Sequence, residues 1–479
     1  MITGADLIAL LPFLILGGAP VVVMLAIAVH RHHGLTLGLT AGFLTAAFLA
    51  LPGVLSRLPR QATPLIAADS YAFFYTGLIL LASLVVALLS YGHLEKRQVV
   101  REELYILLLL AALGAAVLAA ASHFVSFFLG LEILSVSLYP LIAYERRSGR
   151  GAEAGIKYLI LAAASASFLI FGMALVYSRY GTMEFSRIGG AFAAPGGAGI
   201  VAVAGLAMIV VGIGFKLGMA PFHMWTPDIF EGAPPPVAGF IATVSKGAMF
   251  ALLLRYFSQV PITAPVLAIF TVIAIGSMFV GNLLALFQQN VKRILAYSSI
   301  AHLGYLLVAF LASGPLRPMA VTFYLTAYFV TTLGAFGVVT VLSGRVRDAD
   351  ELEDYRGLSR RSPWLTGVFT AMLLSLAGMP LTAGFIGKFY LVAAGAGSSL
   401  WLLVIVLLVN STIGLFYYLR LIAVLFAAPP EAEAALPPAA PAVSPLGHLL
   451  LGVLLGLLLW LGILPAPLID FIHLMIPAG

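Results

Sequence analysis

The sequence predicts an all-α polytopic membrane protein. Of its 479 residues, 62% are hydrophobic and only 9% are charged, and the mean hydropathy is +1.09. Ordinary soluble domains are about half apolar and about a quarter charged. Apolar runs of about 20 residues, the length at which a helix spans a bilayer, recur along the whole chain. These observations exclude a water-soluble fold.

Fourteen transmembrane spans can be counted along the chain. A single helix over residues 104–144 would overshoot one bilayer, so this run is divided at Ser122 and His123. Residues 429–445 are rich in proline and alanine, a composition typical of a surface linker. The predicted spans cover residues 6–29, 35–54, 71–92, 104–121, 123–144, 155–178, 198–230, 235–257, 262–287, 293–313, 317–343, 363–393, 399–427 and 446–475.

The positions of the 25 Lys and Arg residues predict the orientation. Loops after odd-numbered spans carry 15 of them, including Arg146 and Arg147, whereas loops after even-numbered spans carry 6, including Arg57. Because cytoplasmic loops are enriched in Lys and Arg, the odd-span loops are expected in the cytoplasm and both termini outside. The net charge of +6 therefore reflects membrane orientation, and no nucleic-acid partner is expected.

Spans 7 and 12 carry prolines in the middle of the membrane, at Pro221 and Pro380. Proline removes a backbone donor and clashes with the preceding turn, so each span is predicted to be a broken helix. An ordinary packing kink is the alternative for either proline alone. Because the two spans are five apart, spans 4–8 and 9–13 would form two inverted five-helix repeats. Broken helices at matching positions of inverted repeats indicate an ion path.

The repeat divides the chain into four parts. The predicted divisions are residues 1–100 for the first three spans, 101–260 for the first repeat, 261–428 for the second repeat, and 429–479 for the linker and last span.

Four ionisable residues lie well inside the predicted spans: Glu132, Lys216, Lys246 and Lys388. A charge at a helix centre costs roughly 2.5 to 3.5 kcal/mol, so such residues are functional candidates. Buried salt bridges that fix helix packing are the alternative. However, three lysines face one central carboxylate, so Glu132 can directly neutralise at most one of them. We therefore expect a proton relay.

Two histidines are further candidates. His302 shares a face of span 10 with Ser298 and Tyr305, and the ordinary pKa of histidine suits a proton shuttle. His223 follows Pro221 at the predicted break, where unpaired backbone groups could hold it or water. A histidine that is simply hydrogen-bonded in the core is the alternative for both.

Three charged residues near span ends have two interpretations. Lys157 lies a few residues into span 6, so it is either a proton carrier or a lysine that extends to the membrane surface. Asp228 and Glu231 lie near the cytoplasmic end of span 7, where they either collect protons or cap a short helix.

The chain contains no cysteine, and its nine histidines are scattered. The absence of cysteine excludes disulfides, thiolate metal sites and iron–sulfur ligation by this chain. None of the histidines forms a ligand pair of the His-Glu-x-x-His kind. We expect no metal and no cofactor on this chain, and any redox chemistry on another.

Two long motifs resemble the antiporter-like membrane subunits of respiratory complex I. They are PFHMWTPDIFEGAP at residues 221–234, followed by Lys246, and KRILAYSSIAHLGY at residues 292–305. The similarity covers essentially the whole chain. It implies a channel-like subunit without a cofactor, in which a glutamate and lysines carry protons. Those residues fall here on Glu132, Lys216, Lys246 and Lys388, and Lys157 matches a further lysine of that family.

The resemblance also implies partners and a location. We expect neighbouring antiporter-like and other membrane-arm subunits of complex I, with NADH, FMN, iron–sulfur clusters and quinone bound by partner subunits. The expected location is the bacterial inner membrane. The family has three kinds of antiporter-like subunit. One kind carries a lateral helix after its last span, which is not among the spans counted here, and another has a glutamate where this chain has Lys388. The third kind is therefore expected.

Three alternatives to this function stay open at this stage. Subunits of multisubunit cation/proton antiporters and of membrane-bound hydrogenases share the same motifs. An independent cation/proton antiporter and a purely structural membrane-arm subunit are the other two.

Overall fold

The chain folds into a bundle of apolar helices. The computed structural model describes residues 3–55, 60–97, 100–145, 148–194, 196–197, 199–428 and 443–476. Within them, 13 helices are long and apolar enough to cross a membrane, which confirms the multi-pass prediction. The predicted linker falls almost entirely outside the described residues, as do Arg57, Arg146 and Arg147.

The first half, up to the first break, contains nine helices and one hairpin among the described residues. These are α1 (Gly4–Ala9), α2 (Leu11–Val29), α3 (His33–Leu55), β1 (Arg60–Thr63), β2 (Ile66–Ala68), α4 (Ser70–Lys96), α5 (Glu103–Ala120), α6 (Phe124–Ile142), α7 (Gly149–Tyr180), α8 (Phe185–Ala193) and α9 (Ile200–Leu217).

The remaining helices follow the first break. They are α10 (Trp225–Gly232), α11 (Pro235–Phe240), a π-helical turn (Ile241–Ser245), α12 (Lys246–Gln259), α13 (Ala264–Leu286), α14 (Val291–Leu311), α15 (Leu316–Leu342), a 3₁₀ turn (Leu352–Tyr355), α16 (Leu358–Arg361), α17 (Pro363–Ala377), α18 (Ala383–Gly397), α19 (Trp401–Phe426), α20 (Pro445–Ile463) and α21 (Ala466–Met475).

Several predicted spans differ from the helices in detail. Span 1 is divided at Leu10, two residues before Pro12, and span 14 is divided at Pro465, because proline cannot donate to the preceding turn. Span 8 contains the π-helical turn directly before Lys246. The small antiparallel hairpin β1–β2 is the one sheet among the described residues. Span 12 is divided between the short helices α17 and α18, so the exact count of fourteen stays a prediction.

Both predicted breaks are present, and they have the same geometry. α9 ends at Gly218 with φ 70°, and α17 ends at Gly378 with φ 86°. The N–H groups of Gly218 and Met219 donate to carbonyls three and five residues back at 2.8 and 2.9 Å, and those of Gly378 and Met379 do the same at 3.0 and 2.9 Å. This pattern is the Schellman motif, which needs a left-handed residue. The two breaks therefore share one helix-ending motif, and the inverted repeat itself stays a prediction.

The helices that carry the central polar residues lie at the middle of the bundle. Every residue of α11 and nearly every residue of α12 is buried, and every residue of α14 except Arg293 is buried. By contrast, only about a third of the residues of α2, α3 and α7 are buried. With the exception of Arg293, the charged groups on α12 and α14 are therefore enclosed by protein.

We expect Gly218→Ala to destabilise the chain by about 1–2 kcal/mol, the cost of a left-handed L-residue. Its Cβ would also lie 2.3 Å from Thr226 Oγ1. Gly367→Ala on α17 is the matched control, because its Cβ meets nothing within 4 Å. The measurement is the melting temperature of the detergent-purified protein. Equal melting temperatures for the two variants would contradict the structural requirement for glycine at this break.

Candidate functional site

Three lysines lie inside the bundle at interruptions of helices. Lys216 is in the last turn of α9, Lys246 begins α12 after the π-helical turn, and Lys388 lies on α18 beside the second break. Their exposed fractions are 5%, 1% and 9%. Within the part of the chain that the structure describes, none of the three has a carboxylate oxygen within 4.0 Å. The alternative of buried salt bridges that fix packing is therefore wrong for these lysines.

Serine hydroxyls take the place of carboxylates as partners of the first two lysines. Lys216 Nζ donates to Ser135 Oγ on α6 at 2.6 Å, and Lys246 Nζ donates to Ser299 Oγ on α14 at 2.8 Å. The Lys216 ammonium also lies 5.5 Å from the ring centre of Tyr158. Hydroxyls both donate and accept, so they can pass a proton along a hydrogen-bonded path.

Lys388 closes the end of the broken helix α17. Its Nζ donates to the carbonyls of Leu376 and Ala377 at 3.0 and 2.8 Å, and to Ser411 Oγ at 2.8 Å. These carbonyls have lost their intrahelical donors because α17 stops there. An ammonium is also favoured at the negative end of a helix dipole. The second break thus creates the binding place for its own lysine.

Glu132 lies one turn before Ser135 on α6 and is half-buried. Its Oε1 is buried without a hydrogen-bond partner among the described residues. Lys216 donates to Ser135 rather than to this carboxylate, although the two charges are close enough to interact electrostatically. A buried oxygen without a donor has room to accept one.

His302 lies at the centre of α14 between two tyrosine hydroxyls. Nδ1 lies 2.8 Å from the hydroxyl of Tyr324, and Nε2 lies 3.2 Å from that of Tyr418. The Tyr418 hydroxyl also forms a hydrogen bond with Ser298. A neutral imidazole has one donor and one acceptor nitrogen, so it connects the two tyrosines.

A small cavity lies between His302 and Lys388. Its volume is about 10 Å³, and Tyr324 and Ser375 also line it. This is about the space that one water molecule needs. The structure therefore brings the predicted histidine and the predicted span-12 lysine to opposite sides of a water-sized space.

We call the residues Glu132, Lys216, Lys246, His302 and Lys388 the row, and Lys157 lies outside it. Its ammonium pairs with Glu153 at 2.6 Å and with Asp228 at 3.1 Å, and 43% of its side chain is exposed. Asp228 and Glu231 each accept from Arg293 at 2.8 Å. Neither carboxylate caps α10, so capping, one of the two interpretations of these residues, is wrong.

His223 lies in the first break, between α9 and α10. Its Nδ1 is buried without a hydrogen-bond partner among the described residues, and its carbonyl accepts from the N–H of Thr226 at 2.9 Å. The break therefore holds a histidine nitrogen that is available to a proton or to water.

A charged cavity of about 1050 Å³ opens beside the end of α10. At its wall, Lys292 donates to Asp348 at 2.8 Å and to the carbonyl of Ala233 at 3.2 Å, and Arg97 donates to Asp348 at 2.5 Å. Burial raises the pKa of Asp348, but the charges of Lys292, His93 and Arg97 outweigh burial, so this pKa lies below its ordinary value.

Glu145 and Asp348, which line this cavity, form with His93 a group of side chains that have metal-ligand chemistry. The ligand atoms of His93, Glu145 and Asp348 lie within 4.8 Å of one another. Glu145 already pairs with His93 at 2.9 Å, and Asp348 already pairs with Arg97 and Lys292. A bound cation would have to displace these ion pairs.

Comparison with known proteins gives the family. The family described as NADH:quinone oxidoreductase/Mrp antiporter, TM, matches residues 121–414. The chain belongs to this antiporter family. It is 48% identical to NADH-quinone oxidoreductase subunit N of Ectopseudomonas mendocina, and the alignment covers 98% of this chain and 97% of that protein. It is 54% identical to subunit N of Nitrosospira multiformis, and that alignment covers 98% of this chain and 96% of that protein.

A solved structure of a related complex has the same fold. A chain of respiratory complex I from Thermus thermophilus with bound aureothin superposes with a TM-score of 0.82 and is 35% identical. The alignment covers 96% of this chain and 98% of that chain. Membership of the antiporter family and this superposition confirm the resemblance that the two sequence motifs indicated.

The structure adds site residues of this family member that the sequence did not single out. Tyr324 and Tyr418 contact His302, and Ser411 contacts Lys388. Asn282 and Asn410 lie fully buried within 3.4 Å of each other in the second half of the bundle. The two asparagines could have been found, because an amide in the middle of an apolar span is a polar group that needs a partner.

We expect Asp348→Asn to destabilise the chain by roughly 3 kcal/mol at pH 7, because it leaves buried Lys292 without its carboxylate. The ion pairs of Asp348 stabilise the fold above its ordinary pKa of about 3.9 and are lost as the pH falls through its lowered pKa. The difference from wild type should therefore shrink below about pH 4. The exposed residue Asp470 gives the control variant Asp470→Asn. The measurement is a melting curve of each variant at pH 7 and below about pH 4. A difference that stays constant with pH would contradict this prediction.

Proposed function

We propose that the chain is a proton-translocating, antiporter-like subunit of NADH-quinone oxidoreductase, of the kind named subunit N in its relatives. One observation carries the proposal. Lys216, Lys246 and Lys388 are buried on hydroxyl and carbonyl partners, with no carboxylate partner among the described residues. Burying a charge without a counter-ion is strongly unfavourable in free energy. A role in packing alone does not explain why the chain carries three such lysines. Proton transfer needs such groups, because they must gain and lose charge.

The proposal includes an order of proton transfer. Glu132 sets the charge state of Lys216, and protons pass from there by way of Lys246 and His302 to Lys388. Serine and tyrosine hydroxyls already contact each of these basic groups. The cavity of about 10 Å³ between His302 and Lys388 has room for the water that completes the last step.

The energetics require a moving charge. Transfer of one proton against about 150 mV costs roughly 3.5 kcal/mol. A carboxylate some 8 Å from an ammonium contributes about 2 kcal/mol at an effective dielectric constant of 20. The unpartnered Oε1 of Glu132 supports a movement toward or away from Lys216 as the source of much of this free energy.

Two further residues belong to the proposal. Lys157 exchanges protons with Asp228 where the row meets the cytoplasmic surface, which their 3.1 Å ion pair supports. His223 holds a proton or water in the first break, which its unpartnered Nδ1 supports.

The energy source is proposed to lie on partner subunits. NADH, FMN, iron–sulfur clusters and quinone would be bound there, and a conformational or electrostatic change would reach this chain through neighbouring membrane-arm subunits. The chain would lie in a bacterial inner membrane with both termini on the outer side, as its Lys and Arg distribution predicts.

A multisubunit cation/proton antiporter is the second candidate, because the family description includes Mrp antiporters. A site that selects a metal cation needs several oxygen ligands. Glu132 is the one carboxylate in the described row of buried residues. Genes for flavin and iron–sulfur subunits beside this gene would decide for the oxidoreductase.

We expect Lys216→Ala to remove most proton transfer while the complex still assembles, because a small neutral residue is tolerated in a buried site. Lys96→Ala is the matched control. Lys96 donates to the carbonyls of Val341 and Ser343 at the edge of the bundle, outside the row. The measurement is the pH gradient formed by membrane vesicles during NADH oxidation, together with the amount of assembled complex.

The amount of assembled complex shows whether Lys216 is a proton carrier or a packing residue. Normal pumping by an assembled Lys216→Ala complex would contradict the proposed function. Loss of pumping that follows only from loss of assembly would make Lys216 a packing residue.

We expect Glu132→Gln and Lys216→Ala to affect the pumping rate non-additively. Removing the carboxylate removes an attraction of about 2 kcal/mol that exists only while the lysine is present. The measurement is a double-mutant cycle on the pumping rate of assembled complex. A double variant as impaired as the product of the single variants would show that the two residues act independently.

A further inference from the structure

An aromatic pair connects the surroundings of Lys216 with those of Lys246. The Lys216 ammonium lies 5.5 Å from the ring centre of Tyr158, and the Lys246 ammonium lies 6.0 Å from that of Trp225. The Tyr158 and Trp225 ring centres are 5.1 Å apart. Contacts therefore run from lysine to ring, from ring to ring, and from ring to lysine.

The two rings are held in place and buried. The exposed fractions of Tyr158 and Trp225 are 1% and 2%. The indole N–H of Trp225 donates to the carbonyl of Phe215 at 2.9 Å, directly before Lys216 in the chain. That N–H is a donor only, and it is already used, so the indole cannot pass a proton between the lysines.

The hydrogen bonds of the two lysines point to different helices. Lys216 donates to Ser135 on α6, whereas Lys246 donates to Ser299 on α14. Within the described residues, neither ammonium donates to Tyr158 or Trp225. The hydrogen-bonded row is therefore interrupted at the aromatic pair.

Unpartnered polar atoms lie on both sides of the interruption. On the Lys216 side, Oε1 of Glu132 is buried without a partner among the described residues. On the Lys246 side, Oγ1 of Thr226 is also buried without a partner among the described residues, and Thr226 directly follows Trp225. Thr226 Oγ1 and Lys246 Nζ lie 2.3 and 3.5 Å from the point that a Cβ on Gly218 would occupy. Buried atoms of this kind are places where water binds once it has access.

We propose that Tyr158 and Trp225 form a gate between Lys216 and Lys246, closed in this structure. Displacement of Trp225 with the short helix α10 would let water join the two sets of unpartnered atoms. The gate prevents protons from flowing back along the row between pumping steps. This inference rests on the proposed proton-transfer function, and Trp225 acts in it as a positioning residue.

The experiment measures passive proton flow through the whole complex in proteoliposomes. A pH gradient is imposed without NADH, and its decay is followed with a fluorescent dye. Trp225→Ala is expected to raise the decay rate several-fold and to lower the gradient formed during NADH oxidation. Trp225→Phe keeps an aromatic ring but loses the indole N–H bond to the carbonyl of Phe215, so its decay rate is expected to lie well below that of Trp225→Ala. Trp364→Ala is the control, because Trp364 is 41% exposed on α17.

A combined variant separates a gate from a packing defect. In Trp225→Ala with Lys216→Ala, the added leak should disappear, because the proposed path passes through Lys216. A leak that persists in the combined variant comes from disordered packing and overturns the gate. An assembled Trp225→Ala complex without added leak also overturns it.

Two further results complete the test. If Trp225→Ala does not assemble, Trp225→Leu removes the ring while keeping an apolar side chain, and the same expectations apply to it. Normal pumping by Lys216→Ala would instead contradict the proposed function itself, and this result can be told apart from a failure of the gate alone.

Discussion

The carbonyl groups released where α9 and α17 end must find donors inside the protein, because hydrocarbon offers none. Part of the demand is met by the backbone turn at Gly218 and Gly378. Trp225 adds a second donor to the carbonyl of Phe215 at the first break, and Lys388 donates to the carbonyls of Leu376 and Ala377 at the second. The residues that stabilise the broken helices are therefore those that surround the proposed proton path. Stability and function use the same hydrogen bonds.

The enclosure of the central helices gives these polar groups their properties. α12 and α14 are buried along nearly their whole length, so Lys246 and His302 are screened from bulk water. Hydroxyl partners form hydrogen bonds with both residues, and the Ser299 hydroxyl does so without neutralising the charge of Lys246. A carboxylate in the same place would hold one proton state firmly, whereas a hydroxyl serves a charged and a neutral lysine equally well.

The sequence predicted the class of fold and most of the site for physical reasons. Composition identified the spans, and mid-membrane Pro221 and Pro380 identified the broken ones, although the helices stop earlier, at glycines that can adopt a positive φ. Lys216 and Lys246 were conspicuous because charge is rare in apolar spans. Tyr324 and Tyr418 were not, because 18 tyrosines are spread through the sequence and only packing selects these two. The π-helical turn before Lys246 has no recognisable sequence signal.

The first turn of α14 holds the end of α10 from two directions. Arg293 forms ion pairs with Asp228 and Glu231 of α10. Lys292 donates to the carbonyl of Ala233, the residue after α10. On α14, His302 follows ten residues further on, about 15 Å along the axis. α14 is therefore bonded at its charged end to the half-helix that bears Trp225, and it carries His302 at its centre. Through these bonds, a displacement of the charged end of α14 would change the surroundings of Trp225 and of His302 together.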